Sequence, residues 1–177
     1  MKKNCFTLFI PILWFLQSDV QIWDNPFFTM EIPSSWVKNI THEIDNINPS
    51  RVGDRLKEYV DVRHIPHPDN GIGGWTISVR LYEDREGKKL NYKDFIRSNY
   101  SDDYNIIEIN GLKAAKRFFS MKSPHPGTGE IIESFHSEWI LQGEKRVYRF
   151  AYSSVSLKRH KEKLGSVKNS LSTFSEK

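Results

Sequence analysis

The stretch that most constrains the fold is EIIESFHSEWILQGEKRVYRFAYSS, running from Glu130 to Ser154. Its apolar and aromatic residues fall on alternate positions on both sides of Gly143-Glu144, the period of half-buried strands. With those two residues as the loop, Trp139 faces Tyr148, Ser137 faces Phe150 and Phe135 faces Tyr152, and Leu141 joins the same side. On the other side Glu138 meets Arg149 and His136 meets Ala151. One register thus gathers the rings on one face and opposes unlike charges on the other, as cross-strand energetics favour. A ribbon of this kind must bury its aromatic side, so the fold is organised around an antiparallel sheet.

The segment that follows supplies a cover. SLKRHKEKLGSVKNSLSTF places Leu157, Leu164, Val167, Leu171 and Phe174 along one helical stripe, with Ser156 as the N-cap. Upstream, Asn110-Gly111 sits between β-rich runs and predicts a two-residue hairpin turn pairing Ile109 with Leu112 and Glu108 with Lys113. RLKEYVDVRHI and GWTISVRLYED read as strands, and Phe28, Met30 and Ile32 alternate in a strand that Pro33 ends. Two further helices are expected. One is NYKDFIRSNY, with Tyr92, Phe95, Ile96 and Tyr100 on one face, Asn91 as its cap and Asp94 in a capping-box position. The other is SSWVKNITHEIDNI, where Trp36, Ile40, Ile44 and Ile47 recur at three or four residues. The fold class expected is α+β: a single antiparallel β-sheet with helices packed on it.

At the N-terminus, Lys2 and Lys3 precede an apolar run from Cys5 to Leu16 that contains Pro11. That run suits a signal-peptide core and is well short of a spanning helix. Residues 1–18 are therefore expected to be a signal peptide and 19–177 one domain, outside the cytoplasm in the periplasm or secreted, although Gln17-Ser18-Asp19 lacks an A-x-A cleavage pattern. Cys5, the only cysteine, falls in the leader, so the processed chain has no thiol. That excludes disulfides, cysteine nucleophiles and cysteine-held zinc. The formal charge of +4 falls to +2 without Lys2 and Lys3, which gives no reason to expect nucleic acid or anionic lipid as a partner.

Three motifs carry a resemblance. FFTMEIPSSW, with Pro33 and Trp36 in a Pro-x-x-Trp arrangement, resembles the opening strand of the PsbP-like family. The INGLKA turn at Ile109–Ala114 resembles that family's central hairpin, and the aromatic ribbon running into the last helix resembles its close. The likeness covers roughly residues 27–36 and 75–174 and implies the α+β plan above; it carries over no activity, because function belongs to sites rather than folds.

Few residues offer chemistry. In RHIPHPDNGIGGW, His64, His67 and Asp69 have the right atom types for a zinc or copper site. Pro66 and Pro68 hold the backbone extended, however, and a turn built on Pro-Asp-Asn-Gly accounts for the same residues. GIGGW lacks the spacing and the following helix of a phosphate loop. Ser134, His136 and Glu138 share a strand face, but alternate residues stand about 7 Å apart at ~3.4 Å rise per residue. The expectation there is a solvent-facing polar strip. Lys158, Arg159, His160, Lys161 and Lys163, extended by Lys168, read as the wetted face of the last helix. The loop Ser123–Glu130 and the turn at His67 are the places expected to contact anything small. The functional expectation is an exported, non-enzymatic binding or accessory protein acting through protein contacts at the cell envelope, with no cofactor. The alternatives are a metal-binding protein using His64, His67 and Asp69, or an immunity or inhibitor-type protein.

Overall fold

The computed structural model describes residues 19–38, 56–65, 75–96, 103–125 and 127–177. Among them run β1 (Val20–Asp24), β2 (Phe28–Pro33), β3 (Val37–Lys38), β4 (Leu56–Ile65), β5 (Trp75–Asp84), β6 (Asn105–Ile109), β7 (Leu112–Pro124), β8 (Ile131–Gln142), β9 (Val147–Ser154) and β10 (Ser175–Glu176). The one α-helix among them is α1 (Leu157–Ser172).

The single sheet with helices packed on it does not form. β1, β2 and β10 make a three-stranded antiparallel sheet of their own, while the larger sheet has the order β3-β4-β5-β9-β8-β7-β6. The reason is one of area. A helix about 10 Å across covers roughly two strands spaced ~4.8 Å apart. The buried aromatic face spans more: Ile77, Val79 and Leu81 of β5, Tyr148, Phe150 and Tyr152 of β9, and Trp139 and Leu141 of β8. The small sheet covers what α1 leaves, contributing Trp23, Phe28, Met30 and Ile32, each at most 1% exposed. Phe28 meets Tyr148 and Phe150 edge-on, at ring separations of 6.1 and 6.2 Å. The Trp23 indole N–H donates to Asp61 Oδ2 at 2.7 Å, which ties the small sheet to β4.

Both expected upstream helices are also revised. Asn91 does cap, its side chain accepting from the Lys93 amide at 3.0 Å, but only a 3-10 turn over Tyr92–Phe95 follows and Ile96 is extended. Tertiary bonds compete with the helix here: Gln142 accepts from the Tyr92 amide and donates to the Leu90 carbonyl, each at 2.9 Å. In the other segment Val37–Lys38 pairs with β4. The remainder of both expected helices, 97–100 and 39–47, lies outside the described residues, as do residues 1–18.

The β6–β7 hairpin has the predicted register, Glu108 against Lys113 and Ile109 against Leu112. Asn110 and Gly111 both take positive φ, 48° and 77°, which Asn and Gly tolerate best. The β8–β9 hairpin is shifted by two residues from expectation: Leu141 faces Tyr148, Trp139 faces Phe150 and Glu138 faces Ala151. Its loop is four residues long, closed by the Gly143 amide donating to the Arg146 carbonyl at 2.9 Å. An even shift leaves every side chain on its predicted face.

α1 presents His160, Val167, Ser170 and Leu171 inward, and Phe174 follows it into the core. Ser156 holds the cap position without a side-chain cap bond; the Ser154 hydroxyl accepts from the Ser156 amide at 3.0 Å. Leu157 is half-exposed rather than buried. Among the described residues no helix is long and apolar enough to cross a membrane.

Candidate functional site

The reverse of the large sheet carries the polar chemistry. Near the β8–β9 loop it is covered by the chain around the 3-10 turn, where Tyr92, Tyr104, Ala115, Ile140 and Val147 form a second, smaller core. Beyond that cover the strand register lays out rows of side chains. Arg80 of β5 stands directly opposite Arg149 of β9, Ser78 opposite Ala151, and Ala151 in turn opposite Glu138 of β8. His136 pairs with Ser153 on one side and Phe119 of β7 on the other. Short side chains at Ser78 and Ala151 between long ones leave a cleft of about 280 Å³, lined also by Arg80, Phe119, His136, Glu138 and Arg149.

Two carboxylates hold this surface together. Glu58, 6% exposed, accepts from Arg80 at 2.9 Å. Glu138, 2% exposed, accepts from the Tyr104 hydroxyl at 2.5 Å, from Arg117 Nε at 2.6 Å, and from Arg149. Arg117 is itself 4% exposed, its guanidinium 4.2 Å from the Phe119 ring centroid and 4.9 Å from that of Tyr104. Burial alone would raise the Glu138 pKa, but the Arg149 charge and the bonds from Tyr104 and Arg117 outweigh it and hold the carboxyl below its ordinary range. Burial, reinforced by Glu138, pushes the Tyr104 phenol up, so it stays a donor.

The solvent-facing strip expected over Ser134, His136 and Glu138 is corrected on two points. Glu138 is buried, and Ser134 does reach its neighbour: Ser134 Oγ lies 2.8 Å from His136 Nε2. Side chains leaning along the strand close the gap that their backbone spacing opens. A relay still does not result. Among the described residues Glu138 spends its oxygens on Tyr104, Arg117 and Arg149 and makes no hydrogen bond to His136. The imidazole stacks instead on Phe119, centroids 4.9 Å apart at 14°, and burial lowers its pKa, against the raising effect of Glu138 and with the help of Arg117. The expected Glu138–Arg149 pair is present but reached diagonally, since Arg149 registers with Ile140.

The other sequence candidates separate. His64 lies on β4 with its backbone paired to Val37 and Thr76, while His67 and Asp69 lie outside the described residues. No group of three His, Cys, Asp or Glu side chains among the described residues could hold a metal ion. In the 123–130 loop, His125 Nδ1 accepts from the amides of Gly127 and Thr128, both at 3.2 Å, and so stabilises the hairpin tip.

His160, read from sequence as part of the wetted basic strip, is 1% exposed on the inner side of α1. Its Nε2 lies 2.9 Å from Ser137 Oγ and its ring stacks on Tyr152 at 4.5 Å. Its spacing to Leu164, Val167 and Leu171 is that of the apolar stripe, the signal that finds it. Burial, with smaller pushes from His136 and Lys116, brings its pKa down to about 4.

A larger groove, about 560 Å³, lies where Phe174–Lys177 meets the β8–β9 loop. Most of its polar groups satisfy one another, although Arg146 Nε is buried without a hydrogen-bond partner among the described residues. Glu176 accepts from the Tyr148 hydroxyl at 3.0 Å and the Glu144 amide at 2.6 Å, and Arg146 lies 3.5 Å from Glu176 and 3.3 Å from Glu83. It is the seam that docks β10, whereas the charged cleft keeps its arginines at an open surface.

No family model matches the chain, and no curated protein matches it, so the PsbP-like resemblance gains no match from either comparison. A crystal structure of a protein from Bacteroides thetaiotaomicron VPI-5482 is similar in fold, with a TM-score of 0.51 at 17% identity. The similarity covers 85% of this chain and 45% of that one, so the chain spans less than half the length of its structural relative. At that identity the likeness speaks for the fold alone.

Proposed function

We propose that this chain is an exported, non-enzymatic binding protein, and that the open half of the charged face is the surface with which it binds. The observation that carries the reading is the saturation of Glu138: its oxygens already accept from Tyr104, Arg117 and Arg149. A carboxylate so engaged and so acidic is a poor general base, and His136 without a carboxylate partner is not oriented for one. What Glu138 and Glu58 do instead is hold Arg149 and Arg80 beside a hollow, the arrangement recognition requires. Export is supported by the basic and apolar character of residues 2–16.

The test is a panel of ester, phosphoester and glycoside substrates given to the full chain beside His136→Ala. No turnover by either protein is expected. Turnover that disappears in His136→Ala overturns the reading, and cell fractionation that finds the chain only in the cytoplasm overturns its export.

A further inference from the structure

Arg80 and Arg149 are direct cross-strand partners, and like charges placed this way destabilise a sheet. Each is anchored from outside the pair. Glu58 registers with Tyr82, one row away on the far side of β5, and Glu138 registers with Ala151 on the far side of β9. By register the row of the pair runs Val60, Arg80, Arg149, Ile140 and holds no carboxylate, and the Tyr82 phenol one row on is hydrogen-bonded to Arg149. On the side away from the second core they border the Ser78–Ala151 hollow, where the nearest acid, Glu138, is already fully engaged. The Arg80 side chain is 40% exposed and that of Arg149 21%, so both remain within reach of a ligand. The lining thus carries two fixed cations and an imidazole against one occupied anion.

Resting on the binding reading above, we propose that this hollow is the seat of an oxyanion: the carboxylate or phosphate group of a compact ligand, gripped between Arg80 and Arg149. Guanidinium forks match the paired oxygens of either group, and an anion there relieves the repulsion within the arginine pair. A cleft of about 280 Å³ sits at the lower end of small-molecule sites, so the body attached to the anion is small. Phe119 and the stacked His136 ring supply the apolar wall such a body needs.

The test is calorimetric titration of the full chain, at low salt, with inorganic phosphate and separately with acetate. The expected result is saturable binding of at least one; the two titrations distinguish the phosphate from the carboxylate form. Arg80→Lys, which keeps the charge facing the buried Glu58 but loses the guanidinium fork, weakens binding by about tenfold with the thermal midpoint nearly unchanged. Arg80→Gln weakens binding at least as much and also lowers the midpoint, because it leaves Glu58 without its counter-charge. Ala151→Leu, which fills the hollow, abolishes it. Heat that never saturates with either anion overturns the seat, and so does binding that Arg80→Gln leaves as it was. Should both anions fail while Ala151→Leu still abolishes capture of a protein from envelope extract, the oxyanion seat is wrong and the binding reading survives. Should the anion bind as part of an ester that is then hydrolysed, the seat survives and the binding-only reading is wrong.

Discussion

The two faces of the large sheet are built from the same strands and solve opposite problems. On the aromatic face Trp139, Tyr148, Phe150 and Tyr152 are sealed under α1 and the small sheet, and burying each such ring contributes roughly 2–3 kcal/mol. On the charged face Glu138 and Arg117 are as deeply buried as those rings, yet the surface beside them stays open. Burial of charge adds little net stability, because desolvation offsets most of the attraction; what it secures is position. The aromatic face holds the molecule together, and the charged face holds a set of guanidiniums still.

Substitution on the two faces sharpens that contrast. The largest effect is expected on the aromatic face, where Trp139→Ala, by emptying a fully enclosed site, lowers stability by about 4 kcal/mol in denaturant unfolding. Glu138→Ala should cost about 3 kcal/mol, for a different reason: it strands Arg117 and Arg149 without their counter-charge. Adding Arg117→Met to that variant should recover part of the loss, whereas no second substitution of that kind rescues Trp139→Ala. Equal non-recovery in both cases would mean that the charged face is ordinary core.

Acid separates the faces more gently. His160 folds in its neutral form, with a pKa near 4 against 6.5 when unconstrained, so the unfolded chain binds the extra proton in between. Its contribution is complete above about pH 6.5 and is lost as pH falls toward 4, by up to about 3 kcal/mol. The lowered pKa of His136 gives a slope of the same sign. Glu138, also lowered, is stabilising above the ordinary carboxylate range and loses its part only below pH 4.5. Unfolding midpoints between pH 7 and 4.5 thus report the histidines, and His160→Phe should flatten most of the slope; an unchanged slope would place the titrating group elsewhere.

Much of the aromatic face was legible in the sequence and little of the charged one. Alternation assigned residues 131–154 to faces correctly, but it could not choose between loops of two and four residues, because an even slip changes partners without changing sides. The β6–β7 register was legible because Asn110-Gly111 demands one turn type. β1 and β10 left no trace: Val20 and Ile22 point outward, and two residues are too few to show a period. Burial of Glu138 was hidden because it depends on Tyr104 and Arg117, which only the tertiary fold brings together. Polarity suggested water for that strip, and for His160 as well. In each case a pattern of residue types is blind to partners supplied from other strands.

The contrast comes down to two histidines, one on each face, and they can be watched together. In a nitrogen-detected imidazole NMR titration of the full chain with inorganic phosphate and with acetate, His136 beside the cleft should shift with at least one anion while His160 under α1 stays silent. Movement of His160, or of neither ring with both anions, would contradict the division of the sheet into a sealed face and an anion-receiving one.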